Sequence, residues 1–247
     1  LAFAEKCGLA PRPGDAGRVT LAAVTITNTR LWPFAAVLLA ALPLGGARSE
    51  PAPREILWSA KRPLRWDDFV GRVPKRAPAK NVAMTAASLR FGYGYSLEWS
   101  RNECAYRITS VTIDALFDPR ASWVRPGSRT AAVLAHEQGH FDIAEIHKLM
   151  FEAASRPFAD KRAACRGRDK KSISKNVEHD IDATLGKVYQ RIWTNQVRVQ
   201  NAYDGETAHG LNASAQKAWL AKIAAGLKGR GWGELGPAGA GGASRAP

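Results

Sequence analysis

The amino-acid sequence predicts an α+β domain, and three observations carry that prediction. Two segments, 82–99 and 104–117, alternate apolar and polar residues with the short period that half-buried strands require. The stretches that follow take on helical spacing, and 129–155 is free of Pro. The strands precede the helices instead of interleaving with them, which is the order of an α+β fold. With 247 residues, 45% of them apolar and eight Trp and eight Phe among them, the chain can bury a real core and does not read as disordered.

Residues 1–49 read as a non-mature N-terminal extension and signal peptide. Arg30 precedes Leu31 to Leu44, fourteen residues without charge and heavy in Leu, Ala and Val. Gly45, Gly46, Ala47 and Ser49 then supply small residues suited to cleavage. A membrane span needs about 20 apolar residues, and this run also carries Pro33 and Pro43. The expectation is therefore export, to the periplasm or outside the cell, and not anchoring. Removing 1–49, which hold five basic and two acidic residues, takes the formal charge from +14 to +11. It also removes Cys7, and the remaining pair, Cys104 and Cys165, predicts one disulfide in an oxidising compartment.

The predicted domain covers 50–226. From 50 to 80 the chain is rich in Pro and Arg around an aromatic and acidic knot at Trp66, Asp67, Asp68 and Phe69. Gly92 and Gly94 are bulge or bend points in the first strand segment, and Asp118 and Pro119 end the second. The helix over 129–155 has apolar residues on nearly all sides, so it is buried. A basic linker, 161–175, holds seven Lys or Arg against one Asp. A second long helix is expected over 172–201, a polar turn over 203–210, and a last helix over 212–225 capped by Asn212 or Ser214. The Gly- and Ala-rich stretch 227–247 suits a disordered tail.

The chemistry sits in His136-Glu137-Gln138-Gly139-His140, an HExxH string in the buried helix. Residues four apart share a helix face, so both imidazoles can reach one zinc ion from the same side. Glu137 lies about 100° further round the helix, where a carboxylate can reach an activated water without ligating the metal and take its proton as a general base. Buried His and Glu without such work would be costly.

A zinc site with an open position needs a third protein ligand. His147, seven residues beyond His140, lies about 10 Å further along a continuous helix, with no Gly between to turn the chain back. His209 is the favoured ligand, in a Gly-flanked turn that also offers Tyr203, Asp204 and Glu206. Tyr203 is the candidate hydrogen-bond donor to an oxyanion. Glu178, on the second helix, is the main rival to His209, and Asp204 is another.

Several of these strings together resemble a bacterial family described as predicted secreted zinc-dependent proteases, catalogued as a domain of unknown function. They are Trp66-Asp67-Asp68-Phe69, Ser122-Trp123-Val124, His136 to Ile143 (HEQGHFDI), Tyr203-Asp204, Glu206-Thr207 and His209-Gly210. They span about residues 55–225. The resemblance implies a zincin-like metalloprotease domain, with a small antiparallel sheet packed on the HExxH helix and further helices after it. It adds weight to the 203–210 turn as part of the site. In that family Tyr commonly fills the position of His147, which again argues against His147 as a ligand. In zincin-like folds an edge strand lines the cleft, so segment 82–99 would pair with an extended peptide.

The expected function is a secreted or periplasmic zinc-dependent peptidase, with Zn2+ on His136, His140 and His209, and Glu137 and Tyr203 as catalytic residues. The alternative class is a non-catalytic envelope protein with a structural or degenerate zinc site. Glu137 favours the enzyme, because a purely structural site has no use for that carboxylate. The expected partner is a peptide or protein substrate. Nucleic acid is not expected, since nothing in the chain forms a finger, an RNP pair or a glycine clamp. The basic run 161–175 supports at most weak contact with anionic envelope surfaces. Asp142 and Glu145 point away from His136 and anchor the helix to its neighbours.

Overall fold

A computed structural model describes residues 54–100 and 103–232. The expected signal segment and the stretch 233–247 lie outside the described residues. The fold is a mixed α+β domain with a small antiparallel sheet and three long helices, in the predicted order.

The elements are β1 (Ile56–Leu57), β2 (Ala83–Met84), β3 (Ala87–Ser100), β4 (Glu103–Phe117), β5 (Trp123–Val124), α1 (Ala131–Ser155), β6 (Arg162–Ala164), α2 (Lys170–Thr207) and α3 (Ala213–Gly229). β3 and β4 form one long hairpin, paired from Ala87↔Phe117 to Ser100↔Glu103. Its register shifts between Gly94 and Tyr95, so the second of the two predicted glycines marks the bulge. β1 and β6 cover opposite ends of the other edge of β4. β2 and β5 make a separate two-stranded sheet.

The sheet packs on α1 through aromatic pairs, Phe117 with Phe141 and Phe91 with Phe151, at ring separations of 5.8 and 5.4 Å. α2 completes this layer with Ile173, Val177, Ile181, Leu185, Val188 and Ile192, a stripe at three- and four-residue spacing. A second apolar cluster forms where the three helices meet, from Ile143, Ile146, Val199, Tyr203, Trp219, Ile223 and Trp232. α1 is buried on almost every side, as predicted, and Thr130 caps it by accepting from the Val133 N–H. Cys104 and Cys165 form the predicted disulfide, tying the start of β4 to the loop before α2. Among the described residues, no helix is long and apolar enough to cross a membrane.

Two predicted boundaries are corrected. α2 does not stop near Asn201. It runs on through Thr207, so Tyr203, Asp204 and Glu206 are helical and the turn is confined to 208–211. Gly205 misled the reading: it sits inside the helix with open space around its Cα and imposes no break. The start of the predicted tail is also ordered, because α3 continues to Gly229 and Trp232 packs against Trp219 and His147.

Candidate metal centre

The two histidines of HExxH face α2 across the helix junction. His136 Nε2 and His140 Nε2 are 3.2 Å apart, and Asp204 Oδ1 lies 3.2 Å from the first and 3.0 Å from the second. These three residues form the group that could hold a metal ion, with their ligand atoms all within 4.8 Å of one another. Both imidazoles are buried, and Asp204 is partly open to the cleft. Burial alone would push His140 down. The Asp204 carboxylate beside it reverses this and holds the imidazole up at about 9. Asp204 is penalised by burial too, yet His140, His136 and His209 together hold its carboxyl far below the usual range, so it is ionised.

Each imidazole is gripped from behind by a glutamine. His140 Nδ1 meets Gln200 Oε1 of α2, and Gln200 Nε2 donates to the His140 carbonyl at 2.8 Å. His136 Nδ1 lies 3.0 Å from Gln216 Oε1 of α3. Gln216 Nε2 donates to the Tyr203 hydroxyl at 2.5 Å, and that hydroxyl donates to the His136 carbonyl at 3.3 Å.

Glu137 lies in the same cleft, 3% exposed, and its Oε2 has no hydrogen-bond partner among the described residues. Burial pushes its carboxyl above the ordinary value, while His140 and His136 pull the other way. The facing wall is the segment 81–85, held to α1 by the Thr85 hydroxyl donating to the Glu137 carbonyl at 3.2 Å. That wall is suspended from two places. Ser122 Oγ accepts from the Ala86 N–H, and the Arg125 guanidinium binds the carbonyls of Ala77, Pro78 and Asn81. The cleft so formed has residues 81–85 on one side and His136, Glu137, His140, Asp204 and His209 on the other.

The turn after α2 completes the site. Ala208, His209 and Gly210 all have positive φ, of 48°, 56° and 82°. Such a run is costly for the two non-glycine residues. It is stabilised by the His209 N–H bonding the Asp204 carbonyl, and by Thr207, whose hydroxyl accepts from Gly210. A Cβ on Gly210 would lie 3.0 Å from His136 Cβ, so this tight turn seats directly on the first histidine.

The predicted residues are thus placed as follows. His136, Glu137 and His140 converge as expected. His209 reaches the cleft, but its Nδ1 lies 3.2 Å from Asp204 Oδ1 and it is outside the three-residue group, in which Asp204 stands instead. Tyr203 is fully buried beneath the site, its ring stacked on His136 at 4.6 Å, with its hydroxyl bound to Gln216 and the His136 carbonyl. It braces the histidines and does not line the cleft. Glu178 sits near the start of α2, 26 residues before Asp204, or about 39 Å along the helix. It meets Tyr95 there and is no ligand. His147 bonds the Ile143 carbonyl and Asn195, also away from the site. Asp142 accepts from Trp58 and Gln138 and so ties the helix to the segment after β1, as expected, whereas Glu145 pairs with Lys148 of the same helix and that bond anchors it to no neighbour.

Comparison with family profiles, with curated proteins and with solved structures finds no match to this chain. The functional reading rests on the site itself.

Proposed function

We propose that the protein is an exported zinc-dependent peptidase of the zincin-like kind, with His136, His140 and Asp204 as the ligands. The observation that carries this is the three-atom cluster, beside which the Glu137 carboxylate keeps one oxygen with no hydrogen-bond partner among the described residues. Ligand atoms about 2.0–2.1 Å from a tetrahedral zinc stand about 3.3–3.4 Å apart. The separations here are 3.0–3.2 Å, so the donor set and its spacing both suit zinc. Three protein ligands leave one position open, as catalytic sites do and structural sites do not.

Zinc supplies Lewis acidity at such a site, polarising a carbonyl and lowering the pKa of water. The remaining work falls to the chain. Glu137 lines the cleft, and its buried Oε2 has no hydrogen-bond partner among the described residues, so this carboxylate is the one to take a proton from the attacking water and return it to the leaving amine nitrogen. Burial raises its basicity for that purpose. The segment 81–85 offers an edge for an extended substrate. Arg125 N–H bonds the Val82 carbonyl on the β5 side, so by the alternation of an antiparallel ladder Ala83 presents its N–H and C=O to the opposite edge. Among the described residues no strand pairs there. Asn81 lines the same cleft, and its Oδ1 also has no hydrogen-bond partner among the described residues. The expected strand addition is therefore proposed for this short wall and not for the whole of 82–99, since β3, although itself an edge strand, does not line the cleft. Export is supported by the disulfide.

The test is metal content by mass spectrometry for wild type, Asp204→Ala, His209→Ala and Glu178→Ala, with Glu137→Gln assayed on an unfolded protein substrate. We expect zinc to be lost from the Asp204 variant and kept in the Glu178 variant. The Glu137 variant should keep its zinc and lose about 10²–10⁴-fold in rate. A zinc-loaded wild type that cleaves no faster than the Glu137 variant would refute the enzyme and favour a non-catalytic envelope protein.

A further inference from the structure

The two glutamines behind the histidines have no counterpart in the sequence motif, and the way their protons must be distributed decides what the imidazoles can do. A backbone carbonyl only accepts. The group of Gln200 facing the His140 carbonyl at 2.8 Å is therefore its amide N–H, which turns Oε1 toward His140 Nδ1. An amide oxygen also only accepts, so Nδ1 must carry the proton. Nε2, in the cluster with Asp204 and His136, is then the nitrogen left to coordinate once a metal ion takes the place of its proton.

The same reasoning runs through one more residue at His136. The His136 carbonyl takes the Tyr203 hydroxyl proton at 3.3 Å, which leaves the hydroxyl oxygen to accept from Gln216 Nε2 at 2.5 Å. Gln216 Oε1 then faces His136 Nδ1 at 3.0 Å and forces the proton onto it. Both chains end on a carbonyl of α1, the helix that carries the ligands. Each glutamine thus locks an imidazole side chain to its own backbone, and Gln200 and Gln216 are both essentially buried.

We propose that Gln200 and Gln216 are positioning residues that hold both histidines in the Nδ1–H tautomer, with Nε2 presented to the metal. This rests on the metal-site reading above. Gln216 belongs to α3, so the last helix is a working part of the metal centre and not an appendage. The choice of an amide has a charge consequence. Ligating histidines are often oriented by carboxylates, which add negative charge and raise ligand basicity. Two neutral amides leave Asp204 as the only anion among the ligands, which keeps a bound divalent ion more electrophilic.

The experiment uses the full chain and Zn2+ itself, with affinity measured by competition against a chromogenic chelator and folding monitored by circular dichroism. In Gln200→Met and Gln216→Met the acceptor is gone at similar size, and zinc should bind about 10–100-fold more weakly. In Gln200→Glu and Gln216→Glu the acceptor oxygen remains although the amide donor is lost, and affinity should equal or exceed that of wild type. Equal affinity in the Met and Glu variants would reduce the glutamines to packing and overturn the proposal. The tautomer is also read directly from the ring-nitrogen shifts of ¹⁵N-histidine in zinc-loaded wild type, which needs no variant to fold. A proton on Nε2 of either His136 or His140 would overturn the proposal while leaving zinc binding intact. Failure of wild type to bind zinc at all would instead remove the metal-site reading beneath it.

Discussion

Gly139 is the one glycine in α1, and replacing it with Ala should be destabilising although the helix itself would gain. In an exposed helix interior, Gly→Ala stabilises by about 1 kcal/mol. Here the added Cβ would fall 2.3 Å from Tyr203 Oη, 2.8 Å from Cζ and 3.0 Å from Cε1. The phenol has no room to swing aside. It is fully buried, stacked on His136 and edge-on to His140 at 5.0 Å, and flanked by Trp219. Overpacking of this kind costs about 1–3 kcal/mol. A displaced phenol also gives up its bonds to the His136 carbonyl and Gln216, at about 1 kcal/mol each. The sum is a net loss of about 2–4 kcal/mol.

The assay is urea unfolding of metal-free protein, repeated in a Tyr203→Phe background. Phenylalanine removes the nearest clashing atom, so Gly139→Ala should cost at least about 1 kcal/mol less there, a coupling of the size expected for side chains in contact. A Gly139→Ala protein as stable as wild type, or one whose cost is unchanged by Tyr203→Phe, would show that the phenol does not brace this helix. Metal affinity should fall in parallel, because the same phenol touches both imidazoles.

Two further outcomes follow from features away from the cleft. Replacing Cys104 and Cys165 by Ala opens a cross-link of sequence separation 61, and should lower the unfolding free energy by about 4 kcal/mol in the chain-entropy model. Urea titrations of the oxidised wild type and the double variant measure this, and a loss below about 1 kcal/mol would mean that the closed loop is constrained by other contacts. His147 is fully buried, and burial lowers its pKa below the ordinary imidazole value. The unfolded chain therefore takes up a proton first, so the stability this neutral imidazole contributes is present above about pH 6.5 and is lost as pH falls through that range, by at most about 1.4 kcal/mol per pH unit. His147→Gln should shrink the drop in unfolding free energy between pH 7.5 and pH 5.5. An unchanged drop would place the acid sensitivity elsewhere.

What could be read from the sequence, and what could not, divides along a physical line. The HExxH ligands were legible because two imidazoles four residues apart on a buried helix are fixed by that helix alone. The β3–β4 hairpin and the disulfide were legible for the same kind of reason: alternation needs no partner to be recognised, and with Cys7 set aside in the expected leader the two remaining cysteines have one pairing. Asp204 was weighed but not preferred, because Gly205 and Gly210 made 203–210 look like a turn. The better signal was the apolar stripe that starts at Ile173. Continued past Ile192 at the same spacing, it reaches Gln196, Val199, Gln200 and Tyr203, which carries the helix through Asp204 and sets that carboxylate one turn beyond Gln200.

Gln200 and Gln216 carry no such signal. A buried glutamine on a helix reads as a satisfied core residue until the group it satisfies is known, and that group comes from another helix in each case. The wall at 81–85 was legible only as the start of segment 82–99, since a two-residue strand has no measurable period of its own. Its position depends on Ser122 and Arg125 reaching back to it from some 40 residues later in the chain. The two histidines of the candidate metal centre are thus written locally, in one helix. Asp204, the glutamines behind the histidines and the facing wall of the cleft are written in contacts between segments, and those require the fold. It follows that substitutions at Gln200, Gln216, Ser122 or Arg125 should impair the centre while leaving every residue of its motif in place.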